Sequence, residues 1–186
     1  QSAAGSSHVR ELFMGSLALI TPLLWVCFVI ALMANLFLNN ALPLIYDKYG
    51  IPAVEAANIT TMYHTGGIVG GIIVSLLLDR IGFTVVALMF LLGVPAVMLL
   101  GTDSLGFTML AGVAGMAGVM ILGAQFGNNA AAGLIYPTAV RGKGVGIALS
   151  IGRFGAIAGP TVGAIMLGMD MTLQTLFLLA GLPILI

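Results

Sequence analysis

Residues 17–45 read LALITPLLWVCFVIALMANLFLNNALPLI, a run with no Asp, Glu, Lys or Arg. A helix needs about 20 mostly apolar residues to cross roughly 30 Å of hydrocarbon, so this run alone reads as a membrane span. The rest of the chain has the same character. Of 186 residues, 60% are hydrophobic and only 6% charged, six basic and six acidic, whereas a soluble domain carries roughly a quarter charged residues. So few charges cannot cover a water-facing globule, but a lipid-facing chain needs very few. The composition excludes a soluble fold and predicts an all-α membrane protein. A net charge of zero with no basic run also excludes nucleic acid as a partner.

The charges divide the chain into six apolar pieces, at about 17–45, 55–78, 82–101, 105–134, 142–168 and 172–186. The last piece is short and is expected to be cut within a helix. Residues 1–16 open on small polar side chains without an initiator Met and read as the end of a cytoplasmic interdomain linker. Arg10, Arg80, Arg141 and Lys143 fall on one side of the spans and Lys48 on the other. The excess of basic residues places the amino-terminal flank, the Asp79–Gly82 turn and the Tyr136–Lys143 loop in the cytoplasm. Tyr46–Val54, Asp103 and Asp170 then face outward, in a multi-pass cell (inner) membrane protein.

The spans differ in kind. Gly66 and Gly70, Gly67 and Gly71, Gly123 and Gly127, and Gly155, Gly159 and Gly163 repeat at four-residue spacing, which lines one helix face with small residues and lets backbones approach. Intramembrane polar groups follow the same division: Asn35, Asn39 and Asn40 in the first span, His64 in the second, Gln125, Asn128 and Asn129 in the fourth, and Arg153 in the fifth. Four inner helices are expected to surround a polar pathway, with the third and sixth shielding them from lipid. Asn39-Asn40-Ala41 with Leu44-Ile45-Tyr46 is echoed by Asn128-Asn129-Ala130 with Leu134-Ile135-Tyr136. Three spans separate the two, the spacing of inverted repeats in secondary transporters.

Arg153 is the sharpest single signal. It lies ~16 Å into the fifth span at 1.5 Å per residue, a depth at which an arginine costs several kcal/mol and needs partners or water. It reads as an anion site in which the planar guanidinium grips a carboxylate, or as a structural clamp on an ion pair or backbone carbonyls. Gln125, Asn128 and Asn129 share one helical face and read as further binding groups, Asn128 less than the others, or as glue between helices. His64, ~14 Å deep, titrates near neutral pH and suits a proton carrier; a neutral imidazole bonded across the neighbouring glycines is the structural alternative. Asn40 is placed at the outer mouth of a cavity, and Asn35 and Asn39 read as interfacial caps.

Enzyme chemistry has no footing in this pattern. Ser75 and Ser150 lack a base at matching depth, and no glycine loop for phosphate precedes a Lys and Ser or Thr. His8 and His64 cannot form a metal site unaided, and the lone Cys27 reads as a small hydrophobe. No cofactor or metal is expected.

Two loops carry a family resemblance. Ser75-Leu76-Leu77-Leu78-Asp79-Arg80-Ile81-Gly82 resembles the Gly-x-x-x-Asp-Arg-x-Gly signature of the major facilitator superfamily, with Ser75 in place of its leading glycine. Pro137-Thr138-Ala139-Val140-Arg141 followed by Gly146 resembles that family's later Pro-x-x-x-Arg loop. The run from Gln125-Phe126-Gly127-Asn128-Asn129-Ala130 through Tyr136-Pro137 to Gly152-Arg153-Phe154-Gly155 and Gly159-Pro160 is similar to the aromatic acid:proton symporter branch, which includes 4-hydroxybenzoate and benzoate carriers.

The resemblance implies the carboxyl-terminal half of a twelve-helix transporter, built from two inverted three-helix repeats and importing a small aromatic carboxylate with protons by alternating access. Arg153 becomes the carboxylate or coupling residue, and Asp79, Arg80 and Arg141 the cytoplasmic gate. The ring would need apolar or aromatic walls, for which Phe37, Phe126, Phe154 and Tyr136 are available. The competing reading is a facilitator-type carrier or exporter for another organic solute. The implied partners are the solute, protons, the lipid bilayer and the amino-terminal half. Two copies of the isolated half packing across the inner polar face are a further expectation.

Overall fold

The computed structural model describes residues 11–15, 17–48, 50–102, 105–169 and 171–185. Arg10, Asp103, Asp170 and the linker reading of residues 1–10 lie outside them. The described residues form six α-helices: α1 (Leu17–Lys48), α2 (Ala53–Ile81), α3 (Thr84–Leu99), α4 (Phe107–Ile135), α5 (Arg141–Gly168) and α6 (Leu173–Gly181), the last followed by a 3-10 turn at Leu182–Leu185.

Local chemistry sets the helix ends. Pro52 precedes α2 at φ −55° and Gly82 follows it at φ 62°, with the Gly82 N–H returned to the Leu78 carbonyl at 3.0 Å. A positive φ suits glycine and closes the helix. The next helix starts at Thr84 and spans 16 residues. Thr172 opens α6, its hydroxyl accepting from the Thr175 N–H at 3.4 Å. α1 continues through Pro22 and Pro43 to a length of 32 residues, about 48 Å at 1.5 Å per residue, and so extends beyond the expected 17–45.

Four segments are long and apolar enough to cross a membrane: Leu17–Asn40, Ala53–Ile81, Phe107–Ile135 and Arg141–Gly168. Where the sequence predicts six crossings, α3 and the Leu173–Ile184 segment are apolar but shorter.

The glycine stripes are the seams of the bundle. α2 packs along α4 and α1 along α5, the two most extensive pairings. A Cβ at Gly66 would overlap the Gly115 carbonyl, one at Gly70 the Val119 carbonyl, and one at Gly118 the Tyr63 carbonyl. A Cβ at Gly155 would overlap the Val29 carbonyl in the same way. Backbone touches backbone, which is how helices associate where lipid is as apolar as any side chain. α3 lies against α4, and α6 bridges α3 and α1.

Buried side chains fill the space between the seams. The largest cluster gathers Phe37, Leu42, Ile45 and Tyr46 of α1 with Ile59 and Tyr63 of α2, Val97 of α3 and Phe177 of α6. Within it the Tyr46 hydroxyl donates to the Leu100 carbonyl at 3.1 Å. A second cluster at the opposite end joins Leu24 and Phe28 to Ala132, Tyr136 and Ala148. At the Tyr46 end, Lys48 Nζ donates to the Leu167 carbonyl at 2.6 Å and ties the end of α1 to the end of α5.

Candidate functional site

The intramembrane polar residues divide into an inward and an outward set. Gln125 and Asn128 are almost completely buried, at 6% and 4% exposure. Asn128 Nδ2 donates to the Cys27 carbonyl at 3.4 Å, joining α4 to α1, so this side chain is a helix-to-helix contact. The Gln125 side-chain oxygen is buried with no hydrogen-bond partner. An acceptor left in that state loses its hydration without replacement, and the site calls for a donor.

His64, Asn129, Arg153 and Asn40 point outward. His64 belongs to an exposed stripe of α2 that includes Thr61, Thr65, Ser75 and Asp79. The Thr61 and Thr65 hydroxyls donate to carbonyls of their own helix, both at 2.9 Å. His64 meets the edge of the Tyr63 ring, centroids 5.5 Å apart. On α5 the exposed stripe carries Ser150, Arg153 and Thr161, and on α4 it carries Phe126 and Asn129. Ser150 and Thr161 are again satisfied within their helix, by Gly146 and Ile157 carbonyls at 2.8 Å. Among the described residues no hydrogen bond or ion pair accompanies Arg153 or Asn129. An unneutralised guanidinium at the middle of a membrane-crossing helix cannot face hydrocarbon and requires a cavity or a protein neighbour.

Asn40 turns back on its own helix, Nδ2 donating to the Leu36 carbonyl at 2.9 Å. Asn35, read from sequence as an interfacial cap, instead accepts from the Tyr63 hydroxyl of α2 at 3.2 Å. One sequence signal pointed there: Tyr63 shares the glycine face of α2 with Gly66, Gly67 and Gly70, and a tyrosine on a packing face needs a partner for its hydroxyl. Of the four aromatic residues available as walls, Phe37 and Tyr136 are buried and Phe126 and Phe154 are exposed.

The three gate residues are all exposed. Asp79 and Arg80 end α2, and Arg141 begins α5 with its Nε donating to the Tyr136 carbonyl at 3.3 Å. The structure leaves these three apart, with no ion pair among them.

A bundle of long apolar helices sealed by glycine seams is the architecture of a polytopic α-helical membrane protein. The chain belongs to the Major Facilitator Superfamily, whose model matches residues 24–186; it is a multi-pass membrane protein of a transporter family, not an enzyme. It is 36% identical to the gallate transporter of Pseudomonas putida over 94% of this chain and 39% of that protein. It is 32% identical to the 4-hydroxybenzoate transporter PcaK of Pseudomonas aeruginosa, over 98% of this chain and 41% of that protein. A 3-(3-hydroxy-phenyl)propionate transporter of Escherichia coli is 33% identical over 87% of this chain and 40% of its own length. The chain therefore spans about two-fifths of the length of these relatives.

Proposed function

We propose that this chain is the carboxyl-terminal six-helix half of a twelve-helix carrier that imports a small aromatic carboxylate of the 4-hydroxybenzoate type with protons across the cell (inner) membrane. The observation that carries the reading is Arg153, an exposed guanidinium in a membrane-crossing helix with no partner among the described residues. The relatives carry gallate, 4-hydroxybenzoate and 3-(3-hydroxyphenyl)propionate by name, and each of these solutes has an anionic carboxylate for such a cation to meet. The helix pairings agree with two three-helix repeats: exchanging α1 with α4 and α2 with α5 converts the α1–α5 seam into the α4–α2 seam.

In this reading Arg153 binds the carboxylate, with Asn129, Gln125 and Asn40 as further polar contacts. An aromatic acid is ionised at neutral pH, and a fixed cation offsets the loss of its hydration. His64 carries or senses the coupled proton. Asp79, Arg80 and Arg141 form the cytoplasmic gate, making an acid–base contact in one conformation and releasing it in the other. The amino-terminal flank is cytoplasmic, and the amino-terminal half covers the exposed polar stripes; without it, two copies of this half would pair across them.

The test is uptake of labelled 4-hydroxybenzoate and benzoate by the full-length protein in vesicles, with and without an imposed proton gradient. Gradient-driven uptake that disappears in Arg153→Ala supports the reading. No uptake of either acid by inserted protein rejects it in favour of a carrier for a different organic solute.

A further inference from the structure

Tyr63 is completely buried on α2, and its hydroxyl has one partner, the Asn35 side chain of α1, at 3.2 Å. Asn35 itself keeps part of its surface open. The direction of this bond follows from donor and acceptor counting. If the Asn35 amide donated to the phenol oxygen, the phenol proton would be stranded in an apolar core, which costs a buried hydrogen bond. The phenol therefore donates to Asn35 Oδ1, and the amide cannot turn over without breaking that bond. Both protons on Nδ2 remain, and no other hydrogen bond involves Asn35 among the described residues. Tyr63 thus fixes a half-buried amide with its donors presented and its acceptor occupied.

The register between α1 and α5 places this donor relative to Arg153. Both helices run in the same direction along their seam, with Gly155 against Val29 and Gly159 against Met33. Arg153 is therefore level with Cys27, and Asn35 lies about 12 Å further along the axis at 1.5 Å per residue. A hydroxybenzoate with a hydrogen bond of about 2.8 Å at each end spans an offset of that order.

We infer that Asn35 is a substrate-binding residue for the oxygen on the ring of a hydroxylated aromatic acid, donating from Nδ2, and that Tyr63 is its positioning residue. This rests on the aromatic-carboxylate reading above and adds to it the end of the substrate opposite the carboxylate. The consequence is specificity. A site built around a hydrogen-bond donor favours the hydroxylated acid over its unsubstituted analogue, which leaves the donor unmatched.

The experiment compares uptake kinetics of 4-hydroxybenzoate and benzoate in the full-length protein and in its Asn35→Ala and Tyr63→Phe variants. Both variants should raise KM for 4-hydroxybenzoate by about fivefold to tenfold, the worth of one hydrogen bond, while KM for benzoate moves less than twofold. Retained benzoate uptake shows that each variant is folded and inserted. Equal losses for both acids, in KM or in maximal rate, would reduce the pair to a structural link and overturn the inference. So would a wild-type protein that takes both acids with the same KM. Absence of any aromatic-acid uptake by the wild type would instead overturn the transport reading on which the inference stands.

Discussion

Gly155 rests on the carbonyl of Val29 so closely that a single added carbon would overlap it. The obstacle is helix backbone, which cannot rotate aside as a side chain can, so the seam tolerates no methyl group without separating α5 from α1. The same holds at Gly66 on Gly115.

Gly155→Ala and Gly66→Ala should each destabilise the bundle by about 1–3 kcal/mol, the range of overpacked cores. Gly112→Ala supplies the control, because nothing lies within 4 Å of a Cβ there, and alanine in an exposed helix position is favoured over glycine by ~1 kcal/mol. Thermal melting of the detergent-solubilised protein reads both effects, with opposite signs.

Arg153→Lys should be a poor substitute. It keeps the charge but replaces a planar two-pronged donor with a hydrated point charge. KM for the carboxylate is expected to rise about tenfold, with Arg153→Ala abolishing uptake, in substrate-titrated vesicle transport.

Gln125 separates stability from function. Its side-chain oxygen is buried without a donor, so the similar-sized Gln125→Met removes an unmatched acceptor and should leave the melting temperature unchanged or higher. The same variant should transport more slowly if that oxygen meets the solute or a bound water during transport. Wild-type rates with Gln125→Met would remove Gln125 from the binding site.

For His64 the relevant quantity is the pH profile. His64→Gln keeps hydrogen-bonding capacity but cannot take up a proton, so accumulation of solute should lose its dependence on external pH. An unaltered profile would assign proton coupling elsewhere.

Tyr46 offers a structural contrast. Tyr46→Phe deletes the bond to the Leu100 carbonyl at 3.1 Å and leaves the ring packed against Phe177, centroids 6.1 Å apart. A loss of about 1 kcal/mol is expected, visible as a lower melting temperature, with KM unchanged.

The fold was legible where the signal lies within one helix. An uncharged apolar run states its own solvent, and glycines at four-residue spacing state their own packing face, which is why the stripes of α2, α4 and α5 could be read before their partners were known. Helix length was less legible: α3 runs only from Thr84 to Leu99, inside the expected 82–101, because an unbroken apolar run does not mark its own ends. Side-chain pairing was least legible of all. Asn40 and Asn35 lie five positions apart with the same chemistry, yet one bonds to its own helix at Leu36 and the other to α2 at Tyr63. The difference depends on what an adjacent helix presents, and a single strand of sequence carries no direct record of that.

The two glycine seams are nested along the chain: α2 finds α4 across one intervening helix, while α1 finds α5 across three. Synthesis proceeds from the amino terminus, so the inner seam can close while α5 is still unmade, and α1, the first of these helices to be synthesised, is the one kept waiting longest for its partner. Until then its side of the α1–α5 seam faces lipid or whatever insertion machinery holds it. On that order the α2–α4 seam can close without α5, so a lesion at Gly155 would leave the α2–α4 pair able to form while parting α5 from α1.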